Sequence, residues 1–258
     1  MIFDDDIVGC AGIVERGDPD RFRAAMAAPP QARAVLFPLY AFNVEVSRAP
    51  WASQEPMIAE MRLQWWRDAL EEIASGKQAR RHEVVTPLAR ILTPAQAAAL
   101  DAAVTARSWD IYRDPFEDEG ALLAHIDATA GLPMVTAAQC LGKADAATVM
   151  GYARAAGIAA WLRAAPELDA RGRIPLLDGT PDGIRALAQT GLDALERARR
   201  QRKNVSPDAR PALLAGWQAE AMLRRAASDP ASVADNTLAP SPLRSRARLI
   251  WQAATGRW

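Results

Sequence analysis

The chain has 258 residues, half of them apolar and 24% charged, with 31 Lys+Arg set against 31 Asp+Glu. That length suffices to bury a sizeable core in one large domain or two small ones. The zero formal net charge leaves no basic excess of the kind nucleic-acid binding needs, and two cysteines without a C-x-x-C give neither a disulfide framework nor a zinc site.

Residues 1–17 open with Met1-Ile-Phe-Asp-Asp-Asp6, acidic where a secretory leader would be basic, and read as a flexible N-terminal segment. Cys10 and Cys140 read as reduced and buried, which implies a cytoplasmic, reducing compartment. A capping residue followed by Pro then recurs at Asp18-Pro19, Thr93-Pro94, Thr180-Pro181, Ser206-Pro207 and Ser241-Pro242. A Ser, Thr or Asp oxygen can accept from the first free N–H groups of a helix, and Pro at the next position sacrifices no hydrogen bond. Each signal therefore predicts a helix start, and Ser53 and Asp145 predict two more. The most apolar stretch noted, Ala34 to Val44, falls short of the roughly 20 residues of a membrane span.

Between Gln54 and Ile73, Met57, Met61, Trp65, Ala69 and Ile73 recur every four residues, with Ile58, Trp66 and Leu70 widening the stripe. This predicts an amphipathic helix with that stripe on the core. From Ala144 to Ala164 the helical face is small: Val149, Ala153, Ala156, Gly157, Ala160 and Trp161. Small residues let helices approach closely, so this helix is expected in the interior. The end, Pro242 to Trp258, predicts a basic amphipathic helix (242–258), mixing four arginines with Leu243, Leu249, Ile250, Trp251 and Trp258. Such a helix allows at most peripheral membrane contact. No strand alternation, Gly-x-Gly loop or repeat is found, so 1–258 reads as a single all-α domain.

His82 and His125 have no nucleophile elbow or H-x-x-x-H around them and read as structural. Three carboxylate pairs have the i,i+4 spacing that could present oxygens to a hard cation: Asp68/Glu72, Asp114/Asp118 and Asp178/Asp182. The first lies on a polar helix face, the second at a loop or helix start, the third in a turn. All three read as solvated surface, with Asp114/Asp118 the least easily dismissed.

Leu39-Tyr-Ala-Phe42, Arg171-Gly-Arg173-Ile-Pro-Leu176 and the Ala130-Gly131 pair within Leu122 to Leu141 resemble the squalene/phytoene synthases. That resemblance implies an all-α isoprenoid synthase-like helical bundle, in which two Asp-rich motifs on facing helices hold Mg²⁺ against prenyl diphosphates. Here Ser47, Arg48 and Trp51 stand where the first motif's aspartates would be, and Ala164 and Leu168 where the second's would be. Both motifs are degenerate, so no metal site, no cofactor and no catalytic residue are expected. Glu45, Glu167 and Asp169 lie near, but out of register.

Phe42-Asn-Val-Glu45, Met61-Arg-Leu-Gln-Trp-Trp-Arg67, Gly157-Ile158, Leu162-Arg-Ala-Ala-Pro166 and Asn236-Thr-Leu238 resemble a divergent branch of that family. The branch includes assembly factor six of mitochondrial respiratory complex I and its bacterial relatives. The resemblance implies a non-catalytic role in building respiratory NADH dehydrogenase, with respiratory-complex subunits as partners; the location expected is cytoplasmic, at most peripheral to the inner membrane. Two alternatives stay open. One is a Mg²⁺-dependent prenyltransferase using displaced carboxylates such as Glu45, Glu167, Asp169 or Asp114/Asp118. The other is a prenyl-lipid binding protein. By the same resemblance Arg33, Arg62, Arg163 and Arg173 are candidates for a residual anion or diphosphate site, with Arg62 expected to face inward. Tyr40, Phe42, Trp65 and Trp161 are candidates for lining the cavity, which Trp51 and Trp161 are large enough to fill.

Overall fold

The structure, a computed structural model, describes residues 4–258, so Met1, Ile2 and Phe3 of the acidic start lie outside it. Among the described residues the β content is one isolated bridge, Ala144 to Val205. The segment read as flexible is helical from Asp5 onward. In α1 (Asp5–Gly17) the Asp4 carboxylate accepts from the Ile7 N–H, and Ile7, Cys10, Ile13 and Val14 are buried. Their three- and four-residue spacing makes one apolar face, and that face packs on α3.

Asp18 then caps α2 (Pro19–Ala27), accepting from the Arg21 N–H at 2.9 Å. Most of α3 (Pro30–Arg48) is buried, and it runs into a tight turn at Ala49–Trp51. After that turn α4 (Pro56–Ala74) begins; Ser53 supports the loop before it, its Oγ accepting from the Glu55 N–H at 3.1 Å. α5 (Val85–Ile91) and α6 (Pro94–Thr105) follow, and Thr93 and Gln96 close a reciprocal capping box on α6.

A continuous helical run, Glu119–Leu141, comprises α7 (Glu119–Ile126), a π-helical turn at Asp127–Gly131 and α8 (Leu132–Leu141). Among the described residues this run, not Ala34 to Val44, is the stretch long and apolar enough to cross a membrane by length and composition. Of its most apolar window 61% is buried inside the fold, the pattern of a core helix.

α9 (Ala146–Ala170), capped by Asp145 through the Thr148 N–H at 2.8 Å, is the central helix. It packs against α7, α8, α10 (Pro181–Arg200), α11 (Ala219–Ser228) and α12 (Ala231–Ala234). Its small residues permit this: a Cβ on Gly157 would lie 2.5 Å from Ile126 Cγ2, so α9 crosses the end of α7 in near contact. Thr180 caps α10 as expected. Ser206-Pro207 does not start an α-helix: turns lead instead to a 3₁₀ segment, Arg210–Gly216, and the buried Ser206 hydroxyl has no partner. Asn236, in the block after α12, takes a φ of 53°, the left-handed region that Asn tolerates. α13 (Pro242–Thr255) closes the chain without a side-chain cap from Ser241.

One expected face is partly reversed. In α4 the buried residues are Ala59, Leu63, Trp66, Ala69, Leu70 and Ile73, whereas Met57 is 72% and Met61 66% exposed. A four-residue step overshoots the 3.6-residue turn by about 40°. The stripe therefore spirals out of the core toward the N-terminus of α4.

Candidate functional site

A cavity of about 310 Å³, partly open to solvent, lies between the end of α3 and the second half of α9. Ser47 and Trp51 reach it from α3 and its terminal turn, and Ala160, Trp161, Ala164 and Leu168 from α9. Positions 47 and 51, and 164 and 168, are each four apart, which puts both members of a pair on one helical face. The positions singled out by the resemblance thus meet at one cavity, except Arg48. Arg48 turns outward to pair with Glu45 at 3.5 Å and lines a separate surface groove.

Ser47 adds one hydroxyl, which donates to the Val44 carbonyl at 2.9 Å. Three carboxylates line the cavity, and each has an arginine. Asp18 holds Arg21 at 3.1 Å, Asp110 holds Arg107 at 3.4 Å, and Glu167 pairs with Arg171. Burial pushes the Asp110 carboxyl above its usual range, against the opposing pull of Arg107 and Arg173. Arg21, Arg107 and Arg171 are the guanidinium groups that line the cavity. Arg21 also faces the buried Asn43, whose amide oxygen, turned toward it, accepts at 2.6 Å while its NH₂ reaches the Thr129 carbonyl at 3.3 Å. That orientation follows because an amide nitrogen would face only donors there. Among the described residues, no three His, Cys, Asp or Glu side chains converge where they could hold a metal ion.

The residual anion site predicted at Arg33, Arg62, Arg163 and Arg173 is not assembled. Arg33 donates to the carbonyls of Met26 and Ala28 at the end of α2. Arg62 is exposed and lines the outer groove with Trp65 and His82, so it does not face inward. Arg163 pairs with Asp20 at 2.8 Å beside a smaller adjoining pocket. Arg173 donates to the Asp110 carbonyl at 2.6 Å, and its guanidinium sits 4.9 Å from the Trp51 ring centre, with Arg171 at 4.8 Å. Around that indole lies a second groove of about 510 Å³, whose charged lining is Arg113, Arg171 and Arg173 without a carboxylate.

Of the four expected cavity-lining aromatics, Trp161 alone lines the central space. Tyr40 is buried, its hydroxyl donating to the Ala212 carbonyl. Phe42 packs edge-on against Trp66 in the core. Trp65 lies in the outer groove under Arg80 and beside His82. Trp161 donates through Nε1 to the Pro175 carbonyl at 2.9 Å and packs with Trp109, Phe116 and His125, rings 5.2–5.8 Å apart. This aromatic group fills the space behind the cavity wall. Neither the cluster nor the pair Arg21 and Arg107 was marked by the sequence reading; Asp18-x-x-Arg21 and Arg107-x-x-Asp110, at i,i+3, were the available signal.

The remaining acidic candidates are local. Asp118 caps α7, Asp178 closes a turn onto the Thr180 N–H, Glu72 pairs with Arg80, and Asp68 accepts from Gln64. Asp114 and Asp169 are exposed and line none of these cavities.

The Squalene/phytoene synthase family profile matches residues 14–176. The fold is similar to a dehydrosqualene synthase crystallised with a ligand, with a TM-score of 0.79 over 97% of this chain and 96% of that one, at 17% identity. It is also similar to squalene synthase HpnC from Alicyclobacillus acidocaldarius, with a TM-score of 0.66, 86% and 92% coverage and 18% identity. At such identities the likeness is one of fold. Over 84 residues the chain is 36% identical to the NADH dehydrogenase (ubiquinone) complex I, assembly factor 6 homolog of Drosophila melanogaster. That alignment spans 32% of this chain and 25% of the relative.

Proposed function

Because this chain belongs to the squalene/phytoene synthase family, we propose that it keeps the synthase fold without the prenyltransferase chemistry and serves an assembly-factor role for respiratory NADH dehydrogenase. The lining of the central cavity carries the first half of this reading. Magnesium takes near-octahedral oxygen coordination and is drawn to carboxylates. Positions 47, 51, 164 and 168 offer one hydroxyl and no carboxylate, and Asp18, Asp110 and Glu167 are each engaged by an arginine. This donor set does not fit a magnesium cluster. Without one, a leaving diphosphate lacks the Lewis-acid stabilisation worth several kcal/mol to its departure. The 84-residue similarity to a complex I assembly factor homolog supports the second half.

Incubating the purified chain with farnesyl or geranylgeranyl diphosphate and Mg²⁺ is expected to release no pyrophosphate above a protein-free control. Metal-dependent release would establish the prenyltransferase alternative and remove this reading. Cells lacking the chain are expected to lose NADH dehydrogenase activity and to regain it on complementation with the Asp18→Asn variant. Normal activity in the deletion strain would count against the assembly role.

A second reading, a binder of prenyl lipid or its diphosphate, is favoured by the groove around Trp51. Arg113 and Arg173 meet there with Arg171, whose partner Glu167 lies outside the groove lining, beside a cavity whose size is at the lower end for small-molecule sites. Binding of farnesyl diphosphate that needs no metal, and that weakens in Arg171→Gln and Arg173→Gln, would favour this reading over the first.

A further inference from the structure

The C-terminal helix divides its side chains in a way that core packing alone does not require. One face of α13 holds Ser245, Leu249 and Gln252 inside. Just beyond the helix, Trp258 packs edge-on against Tyr152 at 5.0 Å. Arg248 also turns inward, where with Arg199 it grips Glu220. Burial alone would raise the Glu220 carboxyl, but hydrogen bonds and charge from these two arginines outweigh it and hold it at about 2. α13 is thus anchored on its inner side.

The outer side is apolar as well. Leu243 is 81%, Ile250 68% and Trp251 49% exposed. With Ala247 and Ala254 they fall within about 100° of arc at 100° per residue, a continuous stripe facing solvent. Arg244 and Arg246, both exposed, flank the stripe on its two sides, and among the described residues neither has an ion-pair partner. Arg257, at the C-terminal end, lies over the Trp251 ring at 5.9 Å. From Asn236 to Trp258 there are four arginines and no Asp or Glu.

From these observations we infer that the outer face of α13 is a docking surface for an anionic lipid bilayer. An exposed stripe of Leu, Ile and Trp suits the boundary between headgroups and acyl chains, and flanking arginines suit anionic headgroups at the same depth. The charge favours this occupant over an apolar protein groove, which would leave Arg244 and Arg246 desolvated without a counter-charge. The helix lies in the plane of the surface, with the bundle above it, and does not span the bilayer. At 14 residues it is shorter than the roughly 20 that spanning needs.

Co-sedimentation of the full chain with vesicles of phosphatidylcholine, alone or mixed with phosphatidylserine, tests this. The wild-type chain is expected to pellet with the mixed vesicles, to pellet far less with phosphatidylcholine alone, and to be released at high salt. Each arginine near an anionic surface contributes about fivefold, so Arg244→Gln/Arg246→Gln should weaken binding roughly 25-fold. Ile250→Ser/Trp251→Ser should weaken it about tenfold or more. Leu243→Ser, at the most exposed large apolar position of the stripe, keeps the test valid should a double variant lose helix content by circular dichroism. Failure of the wild-type chain to pellet with anionic vesicles would overturn the inference. So would unchanged binding in the folded variants, or a vesicle-free dimer that Ile250→Ser/Trp251→Ser abolishes.

Discussion

Trp161→Ala is expected to lower the unfolding free energy by about 3–5 kcal/mol. Three losses coincide at this residue. The indole is buried and contacts Trp109, Phe116 and His125, so its removal leaves a void walled by rings that are already packed and cannot readily collapse. Its Nε1 holds the Pro175 carbonyl at 2.9 Å, an acceptor left without its donor in the variant. That bond also ties down the loop after α9, which carries Arg171 and Arg173. Trp161→Phe keeps most of the ring but not the N–H, and is expected to cost about 1–2 kcal/mol. Denaturant unfolding of both variants measures the difference. A loss below about 1 kcal/mol for the alanine variant would mean that this cluster does not support the cavity wall. The void would also join the central cavity, so tighter binding of a prenyl chain by Trp161→Ala would support the lipid-binding reading.

Acidification should weaken the fold once the pH falls below the usual imidazole range. Burial, with a smaller contribution from the Arg107 charge, lowers His125 from its usual 6.5 to about 3. Between those values the unfolded chain binds a proton that the folded chain refuses, so stability rises with pH. The contribution is fully present above 6.5 and is lost progressively as pH falls toward 3, amounting to about 2 kcal/mol by pH 5. Glu220, held at about 2 against the usual 4.5, adds a second loss in the same direction at lower pH. His125→Phe should flatten the profile between pH 7 and 5, since it keeps an aromatic ring among Trp109, Phe116 and Trp161 and removes the buried Nε2 that has no partner. Melting temperatures of the two proteins across that range decide the matter. Parallel profiles would show that the imidazole is not kept neutral.

Local chemistry was readable along the chain. Asp18, Thr93, Asp145 and Thr180 cap the helices they were expected to start, because a cap needs only the next three residues. The small face of α9 was legible for a similar reason: Ala and Gly at helical spacing leave room for neighbours wherever those neighbours come from. The family was legible in short blocks such as Leu39-Tyr-Ala-Phe42 and Arg171-Gly-Arg173. Direction was harder to read. The α4 stripe of Met57 and Met61 failed because a period of four is not that of a helix. Arg33 and Arg62 were misplaced because a long side chain on a half-polar helix can reach a carbonyl, a neighbouring groove or the interior.

The amino-acid sequence by itself determined that the chain is helical, where several helices begin, and that positions 47, 51, 164 and 168 carry no carboxylate. Those properties depend on residues within a turn or two of one another. Only the tertiary structure decided that these four positions share one cavity, that Arg21, Arg107 and Arg171 rather than Arg33 and Arg62 face it, and that α13 leaves Leu243, Ile250 and Trp251 outside. Each of these depends on which helix lies opposite. That choice is made by packing between segments distant in the chain, and hydrophobic burial, being non-directional, leaves no mark of the partner's identity in the local pattern.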